Sequence, residues 1–165
     1  MKEIMNQEQV SRTLKRMTHE IIERHQDLDH IILIGIEKKG LPIAKMIQKN
    51  LKRFADIDVP LFGLDITPYR DDINVENQPI KLQFDVQDRC VILIDDVLYT
   101  GRSVRAAMDA INDYGRPSKI ELAILIDRGH RELPIRADYI GKNIPTARHE
   151  KVVVEPDLMG VKIVS

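Results

Sequence analysis

The chain has 165 residues, which suits a single domain over residues 1–165 and leaves no room for a second sizeable core. Hydrophobic residues make up 43% and charged residues 31% of it, which excludes a disordered or collagen-like chain, and no apolar run approaches the roughly 18 residues of a membrane helix. The net charge of −1 by itself argues against a nucleic-acid-binding protein. The single cysteine and the lack of a signal-peptide pattern indicate a cytosolic protein without a disulfide or a cysteine-based zinc site.

The first half of the chain alternates helical and extended patterns. Apolar residues recur at helical spacing over residues 7–25, behind an N-cap pattern formed by Asn6 and Gln9. The sequence then predicts a buried strand at 30–34, a loop at 35–40, a helix that begins near Pro42 and a strand at 59–66. Residues 67–83 show no periodicity, and a loop of that length in a compact domain is typically functional or mobile.

The second half continues this alternation. It predicts a buried strand at 91–94, a turn at 95–101, a helix at about 103–114 capped by Gly115, a strand at 120–126, and late strands at 152–154 and 161–164. Residues 127–149 show no clear element. Strands that alternate with amphipathic helices indicate a parallel sheet covered on both faces. Because ligands of such sheets bind beyond the carboxyl ends of the strands, the turns at 35–40, 95–102 and 127–131 are the candidate site.

The turn after the 91–94 strand has the composition of a phosphate site. Two acids, Asp95 and Asp96, end the apolar run, and the loop that follows opens a helix whose free N–H groups and dipole attract an anion. Thr100 and Ser103 add hydroxyl donors, while Gly101 lets the backbone approach the ligand closely. Carboxylates beside a phosphate site suit a sugar phosphate, because they accept hydrogen bonds from vicinal hydroxyls.

This string resembles the phosphoribosyl-diphosphate (PRPP) motif of the type I phosphoribosyltransferases. The resemblance implies an α/β fold with a central, mostly parallel sheet flanked by helices, a mobile lid loop and a small hood. It also implies that Asp95 and Asp96 hold the ribose hydroxyls and act in catalysis. The residues expected to wrap the 5′-phosphate are Val97, Leu98, Tyr99, Thr100, Gly101, Arg102 and Ser103.

The resemblance extends to one subfamily through residues 95–102, 115–117 and 127–146. These segments are similar to those of the bacterial pyrimidine operon attenuation regulators, which are also uracil phosphoribosyltransferases. The implied reaction converts uracil and PRPP to UMP and diphosphate. Mg²⁺ is expected to bind through PRPP rather than through a protein cage, and the five histidines lack the spacing of a zinc motif, so we expect no metal ligands from the protein.

The loop after the first predicted strand is the expected diphosphate loop. Its predicted binding residues are Ile36, Glu37, Lys38, Lys39 and Gly40, with Lys39 in a catalytic role. The family usually has Thr-Arg where this chain has Lys38 and Lys39, and lysine lacks the bidentate fork of arginine. Glu37 adds a negative charge. We therefore expect lower transferase activity than in close relatives.

Two further substrate segments follow from the resemblance. Tyr69, Arg70, Asp71 and Asp72 are expected in the lid that closes over the substrates. Asp127 and Arg128 are expected to lie at the uracil.

Charge is unevenly distributed, because residues 1–55 carry a net +4, residues 56–98 carry −7 and residues 99–165 carry +2. A fold that brings the basic ends onto one face creates a basic patch, although composition alone favours ordinary solvated charge. In the regulators such a surface holds a messenger-RNA leader stem-loop, which implies a set of RNA-binding positions here. They are Arg12, Lys15, Arg16, His19, Arg24, His130, Arg131, Arg136 and Lys142. No aromatic residue interleaves these cations, so we expect little base stacking.

The resemblance also implies that UMP or UTP in the site strengthens RNA binding, and we expect a homodimer or a higher homo-oligomer. Two other interpretations stay open. One is a purely enzymatic phosphoribosyltransferase, including one for a purine base, and the other is an RNA regulator with weak or absent transferase activity.

Overall fold

The structure, a computed structural model, describes residues 1–70 and 85–165 of the chain. The strands and helices in these ranges are β1 (Lys2–Asn6), α1 (Gln7–Arg24), β2 (Ile31–Ile36), α2 (Gly40–Ala55), β3 (Leu61–Leu64), β4 (Cys90–Leu98), α3 (Arg102–Asn112), β5 (Lys119–Asp127), β6 (Tyr139–Asn143), β7 (Lys151–Val154) and β8 (Gly160–Val164). Short 3₁₀ turns lie at Thr67–Tyr69 and Pro156–Leu158. None of the helices in the described ranges combines the length and apolarity that crossing a membrane requires.

The strands form two sheets. Five of them make a parallel sheet in the order β3-β2-β4-β5-β6, which confirms the expected fold class. The other three make a separate antiparallel sheet in the order β1-β8-β7, and the expectation of a small hood stays a prediction. Because β2, β4 and β5 are parallel neighbours, their carboxyl ends lie side by side at one edge of the central sheet.

Alternate side chains of the central strands feed two cores. Helices α1 and α2 and the small sheet cover one face, where Leu33, Ile92 and Leu125 are fully buried. Helix α3 covers the other face, where Ile34, Leu93 and Ile124 are fully buried. A strand covered on both faces must be apolar along its length, and this requirement is why β2 and β4 were readable as buried strands.

Several local predictions are confirmed. The Asn6 side chain accepts from the Gln9 amide while the Gln9 side chain accepts from the Asn6 amide, so α1 begins in a capping box. Its apolar stripe, including Leu14, Met17 and Ile21, is fully buried. The two late strands form at the predicted places as β7 and β8.

Four predictions need correction. Strand β4 continues to Leu98 instead of turning at residue 95, because pairing with β5 carries the ladder through Asp95. Helix α3 ends at Asn112 with Asp113 as its C-cap, so Gly115 is not the cap. Strands β1 and β6 were missed, since β1 buries only Met5 fully and β6 is an edge strand. The predicted 59–66 strand is limited to β3.

Candidate active site

A cavity of about 300 Å³ lies at the carboxyl end of β4. It is lined by Arg70, Asp95, Val97, Leu98, Tyr99, Thr100, Gly101, Arg102, Ser103 and Val104. The structure thus brings together almost all of the residues predicted to hold the ribose phosphate. Asp96 is the exception, because it alternates with Asp95 along the strand and does not line this cavity.

The floor of the cavity is the N-terminus of α3. Within the described residues, no side chain caps this helix at its N-cap residue Gly101, and the hydroxyl of Thr100 accepts from the Arg102 amide at 3.2 Å. Gly101 has φ +94°, in the left-handed region that favours glycine, and an added Cβ would lie 3.3 Å from the Ile135 side chain. The open amides and the helix dipole together make this turn an anion site.

The two acids differ in their surroundings. Asp95 is 8% exposed and its carboxylate accepts from the Asp96 amide at 2.8 Å. Burial, together with repulsion from the neighbouring Asp96 carboxylate, raises the pKa of Asp95 well above its usual range. Asp96 is partly exposed and accepts from the Val97 amide at 2.7 Å. The charged form of a buried carboxyl group is stabilised when a hydroxyl or a cation approaches it. Asp95 is therefore suited to bind a ribose diol or to stabilise a developing positive charge.

The predicted diphosphate loop lies beside this cavity. Ile36 ends β2 in the core, and Glu37, Lys38 and Lys39 are exposed in the turn before α2. Gly40 starts α2 so close to β4 that an added Cβ would lie 2.3 Å from the Ile94 carbonyl oxygen. This close approach sets the two lysines next to the strand that carries Asp95.

The side chain of Glu37 is directed away from β4, the strand that carries Asp95. An added Cβ on Gly63 of β3 would lie 2.6 Å from Glu37 Oε1, so the carboxylate lies over β3. Lys38 in turn lies close enough to Asp65 to contribute to the lowered pKa of that carboxyl, which arises first from hydrogen bonds donated by Thr67. The negative charge of Glu37 therefore lies toward the edge strand.

The structure describes two of the four residues predicted for the lid, Tyr69 and Arg70. Tyr69 donates its hydroxyl proton to Asp113 at 2.7 Å, which anchors the 3₁₀ turn against the end of α3. Arg70, the next residue, lines the cavity. Asp71 and Asp72 lie outside the described residues.

The predicted base-binding residues follow the end of β5. Asp127 is the last residue of β5, and its carboxylate accepts from the Gly129 amide and from Arg131 Nη2 at 2.5 Å. Arg128 is 6% exposed, and its guanidinium lies 4.1 Å from the centre of the Tyr99 ring. The same guanidinium donates to Thr146 Oγ1 at 3.1 Å. Arg128 is therefore held inside the protein, while the Asp127 carboxylate is bonded to Gly129 and Arg131 at the end of β5.

Part of the predicted RNA surface forms where α1 packs on β6. Arg16 donates to the carbonyl oxygens of Ile140 and Gly141. Arg12 and Lys142 are exposed, and both line a cavity of about 290 Å³. The basic N-terminal helix and the basic C-terminal segment do therefore meet, as a fold that joins the two ends requires.

Two α1 residues extend this surface toward α2. Lys15 is partly exposed beside Arg12 and Arg16, and the ring of His19 lies 4.6 Å from the ring of Phe54. Phe54 is 37% exposed, and Arg53 lies over its ring. No aromatic residue interleaves these cations along the chain, but the packing of α2 against α1 places Phe54 beside His19, and the expectation of little base stacking stays a prediction.

Four other predicted RNA positions lie elsewhere. Arg24 pairs with Glu121 and Asp138 at the opposite edge of the sheet. His130 donates to the carbonyl of Thr146, and Arg131 turns its guanidinium inward to three protein acceptors. Arg136 is exposed after the turn that follows Asp127.

One cluster at the opposite edge has the composition of a metal site. The ligand atoms of His25, Cys90 and Glu121 lie within 4.8 Å of one another. However, the Glu121 carboxylate already accepts from His25 Nε2 at 2.6 Å and from the Tyr139 hydroxyl at 2.8 Å, and it pairs with Lys119. These donors and positive charges oppose a further cation, and burial raises the pKa of the Cys90 thiol to about 11.

Sequence reasoning missed residues that support the site from a distance. Ile135 packs over Gly101, Glu132 pairs with Arg102 at 2.9 Å, and Thr146 holds Arg128. The sequence gives little indication of these contacts. Glutamate and threonine are common on protein surfaces, and Glu132 and Thr146 lie 30 and 18 residues from their partners in the chain.

Comparisons with known proteins agree with this geometry. The phosphoribosyl transferase domain model matches residues 1–158. The chain is 54% identical over 159 residues to the Bifunctional protein PyrR of Haemophilus ducreyi, covering 93% of this chain and 89% of that one. It is 56% identical over 153 residues to the Bifunctional protein PyrR of Streptococcus suis, covering 93% and 88%.

Solved structures show the same fold at low identity. A hypoxanthine phosphoribosyltransferase from Staphylococcus aureus superposes with a TM-score of 0.73 at 19% identity, covering 88% of this chain and 78% of that one. The hypoxanthine phosphoribosyltransferase of Trypanosoma cruzi, in complex with the product IMP, gives 0.71 at 18% identity, covering 89% and 78%. The chain belongs to the phosphoribosyl transferase domain family and, within it, to the bifunctional PyrR proteins.

Proposed function

We propose that the chain is a uridine-nucleotide-dependent RNA-binding regulator of pyrimidine biosynthesis operon transcription, acting by attenuation, and that it also converts uracil and PRPP to UMP and diphosphate. The observation that carries the proposal is the cavity at the end of β4, where a buried acid faces an uncapped helix N-terminus. Relatives named bifunctional at 52–56% identity support the pairing of two activities. The proposal includes a single domain over residues 1–165, acting in the cytoplasm.

The proposed chemistry follows from the order of the groups along the sheet edge. The 5′-phosphate binds the amides and hydroxyls of the loop from Val97 to Ser103, which fixes the ribose beside Asp95 and Asp96. Lys38 and Lys39 attract the diphosphate, and uracil lies near Asp127. Uracil N1 forms a bond to the anomeric carbon as the bond to the diphosphate oxygen breaks, the electron pair leaves with diphosphate, and the N1 proton is lost.

The carboxylates contribute by electrostatics. The sugar ring gains positive character while the bond to diphosphate breaks, so an adjacent carboxylate lowers the energy of that state. Asp95 is buried, where a charge interaction is screened less than in water. Lys39 acts on the other side by neutralising the departing diphosphate.

Mg²⁺ is proposed to accompany PRPP. Among the described residues, the protein contributes one acid to the lining of the cavity, Asp95, whereas the diphosphate has several oxygens. Most ligands of the ion would therefore come from the substrate. When bound, the ion neutralises part of the diphosphate charge. Asp95 is the cavity-lining acid of this chain that would face it, while the ligands of the ion would come mainly from the substrate and water.

The strength of the transferase activity depends on the two lysines. A lysine is a point charge and cannot form the bidentate pair that arginine makes with a phosphate. The expected result is a lower kcat/KM for PRPP than in relatives with Thr-Arg in this loop. This difference favours, as a second candidate, an RNA regulator whose transferase activity is weak or absent.

The RNA side rests on the surface where α1 meets β6. Arg12, Lys15, Arg16 and Lys142 provide positive charge for phosphates, and the exposed ring of Phe54 beside His19 offers a stacking surface. Partners in the proposal are therefore PRPP, uracil, UMP or UTP, and a messenger-RNA leader stem-loop. The chain is proposed to act as a homodimer or higher homo-oligomer.

One pair of measurements tests both activities on the same sample. RNA from the leader of a pyrimidine biosynthesis operon is titrated with and without saturating UMP, and UMP formation from uracil and PRPP is assayed in parallel. Tighter RNA binding with UMP supports the regulator. An affinity that UMP leaves unchanged contradicts it, and UMP formation without RNA binding leaves a purely enzymatic phosphoribosyltransferase.

Arg12→Gln refines the same titration. Loss of one phosphate contact reduces the slope of log K against log salt by about one. Glu23→Gln, also on α1, is the matched control because it removes an exposed charge of the opposite sign. A salt slope that Arg12→Gln leaves unchanged removes this residue from the RNA surface.

A further inference from the structure

Arg131 connects three parts of the site through one guanidinium. Its Nη1 donates to the Tyr99 carbonyl at 2.9 Å, its Nη2 to the Asp127 carboxylate at 2.5 Å, and its Nε to the Ile135 carbonyl at 3.0 Å. Tyr99 belongs to the phosphate loop and Asp127 to the proposed uracil site. The side chain is 25% exposed, so most of it is inside the protein.

The backbone around Arg131 follows the same path. The amides of Glu132 and Leu133 both donate to the Thr100 carbonyl, at 2.9 and 3.2 Å, and the Arg128 amide donates to the Leu98 carbonyl. Ile135 packs over Gly101. Residues 128–136, which we term the strap, are therefore bonded along the phosphate loop over much of their length.

The strap also carries exposed charge. Arg136 directly follows Ile135, whose carbonyl accepts from Arg131, and it is exposed. A shift of the Ile135 carbonyl moves Arg136, since the two residues share a peptide bond. A ligand that changes the position of Tyr99 or Asp127 thus reaches this charge through a single side chain.

We infer that Arg131 is the positioning residue that couples the nucleotide site to RNA binding through the strap, which carries Arg136, an exposed position that the sequence predicts to bind RNA. This inference rests on the proposed function and deepens it. UMP contacts the phosphate loop at one end and the Asp127 region at the other, so its binding fixes two of the three acceptors of Arg131 and with them the third. Arginine suits this role because its donors form a rigid fork. Coupling requires that UMP favour one arrangement of the strap, and linkage then makes RNA favour UMP by the same factor.

The test is the ratio of RNA dissociation constants without and with saturating UMP. Coupling of ordinary strength gives a ratio of roughly 5 or more for the unsubstituted chain. Arg131→Lys keeps the positive charge but cannot bond three separated acceptors. The expected ratio for this variant is about 1. Saturating UMP is used so that a weaker UMP affinity cannot mimic the result.

Arg136→Gln is the matched control. It removes an exposed charge from the same strap while leaving the three bonds of Arg131 in place. RNA binding is expected to weaken equally with and without UMP, so the ratio stays as in the unsubstituted chain. An Arg131→Lys variant that behaves in this way, or that keeps the full ratio, overturns the inference.

A measurement on the unsubstituted chain keeps the test independent of how the variant folds. Hydrogen exchange at the Glu132 and Leu133 amides is expected to slow when UMP binds, because both donate to the phosphate loop. Exchange that UMP leaves unchanged overturns the inference. If the unsubstituted chain itself shows no UMP effect on RNA binding, the proposed function fails instead, so the two failures are distinguishable.

Discussion

The carboxyl ends of the central strands, here called the carboxyl edge, and their amino ends, the amino edge, differ in how their polar groups are paired. At the carboxyl edge the α3 N-terminus is uncapped, Lys38 and Lys39 are exposed, and burial beside Asp96 raises the pKa of Asp95. At the amino edge one fully buried carboxylate, Glu121, collects several donors from three elements. Polar groups left open are available to a ligand, whereas polar groups paired with one another stabilise the fold.

The network at the amino edge shows why a buried acid need not be functional. Burial by itself raises the pKa of Glu121, but hydrogen bonds from His25, Tyr139 and Lys119 outweigh it and lower the pKa. Arg24 adds an ion pair at 3.1 Å. A lowered pKa marks a charge that the fold already satisfies. The raised pKa of Asp95 indicates a carboxylate whose negative charge the surrounding protein does not compensate.

The largest expected effect is on stability at the amino edge. Glu121→Leu leaves buried donors of His25 and Tyr139 without an acceptor, so we expect a loss of about 3 to 5 kcal/mol in the free energy of unfolding. Urea denaturation measures it. The folded pKa is lowered, so the contribution is present above the ordinary carboxyl pKa of 4.5 and is lost as the pH falls through the folded pKa. A loss that stays constant down to low pH would contradict a charged Glu121.

Asp95→Asn is expected to act in the opposite sense. The variant should lose about 100-fold in kcat/KM for PRPP, because a carboxylate is replaced by a neutral amide beside the sugar. It should also unfold at a higher urea concentration near pH 7. The folded pKa is raised, so ionisation costs stability as the pH rises, and the gain of the variant shrinks as the pH falls toward 3.8. An asparagine variant less stable than the parent at pH 7 argues against this difference between the edges.

Gly101→Ala separates strain from crowding at the carboxyl edge. Gly101 and Gly129 both have positive φ, +94° and +82°, so alanine at either costs about 1 kcal/mol of backbone strain. Only Gly101 packs against Ile135. We expect a KM for PRPP raised roughly 10-fold by Gly101→Ala and changed much less by Gly129→Ala. Steady-state kinetics with varied PRPP decides between them, and equal effects of the two variants would remove the role given to the Gly101 contact.

The smallest expected effect concerns Lys119. Its side chain is 52% exposed and pairs with Glu121 at 3.1 Å, so solvent screens the interaction. Lys119→Gln should lower the free energy of unfolding by about 0.5 kcal/mol, measured by urea denaturation. A loss as large as that of Glu121→Leu would mean that the exposed cation, rather than the buried donors, holds the amino edge together.

The site was more predictable than its supports. The string from Asp95 to Ser103 could be placed from sequence because strand, acids, loop and helix start are contiguous, and the structure joins all but Asp96 in one cavity. The strap could not be placed in this way. Its contacts to the phosphate loop join residues about 30 positions apart, and no periodicity encodes a guanidinium that turns inward.

The sequence by itself determined the buried strands, the amphipathic helices and the phosphate loop, because burial on two faces and helical spacing leave local patterns. Only the tertiary structure decided that Arg131 faces the site, that Arg24 belongs to the amino edge and that Phe54 joins the cations of α1. Those outcomes depend on which elements become neighbours. A charged or aromatic side chain is compatible with several surroundings, and packing selects one of them.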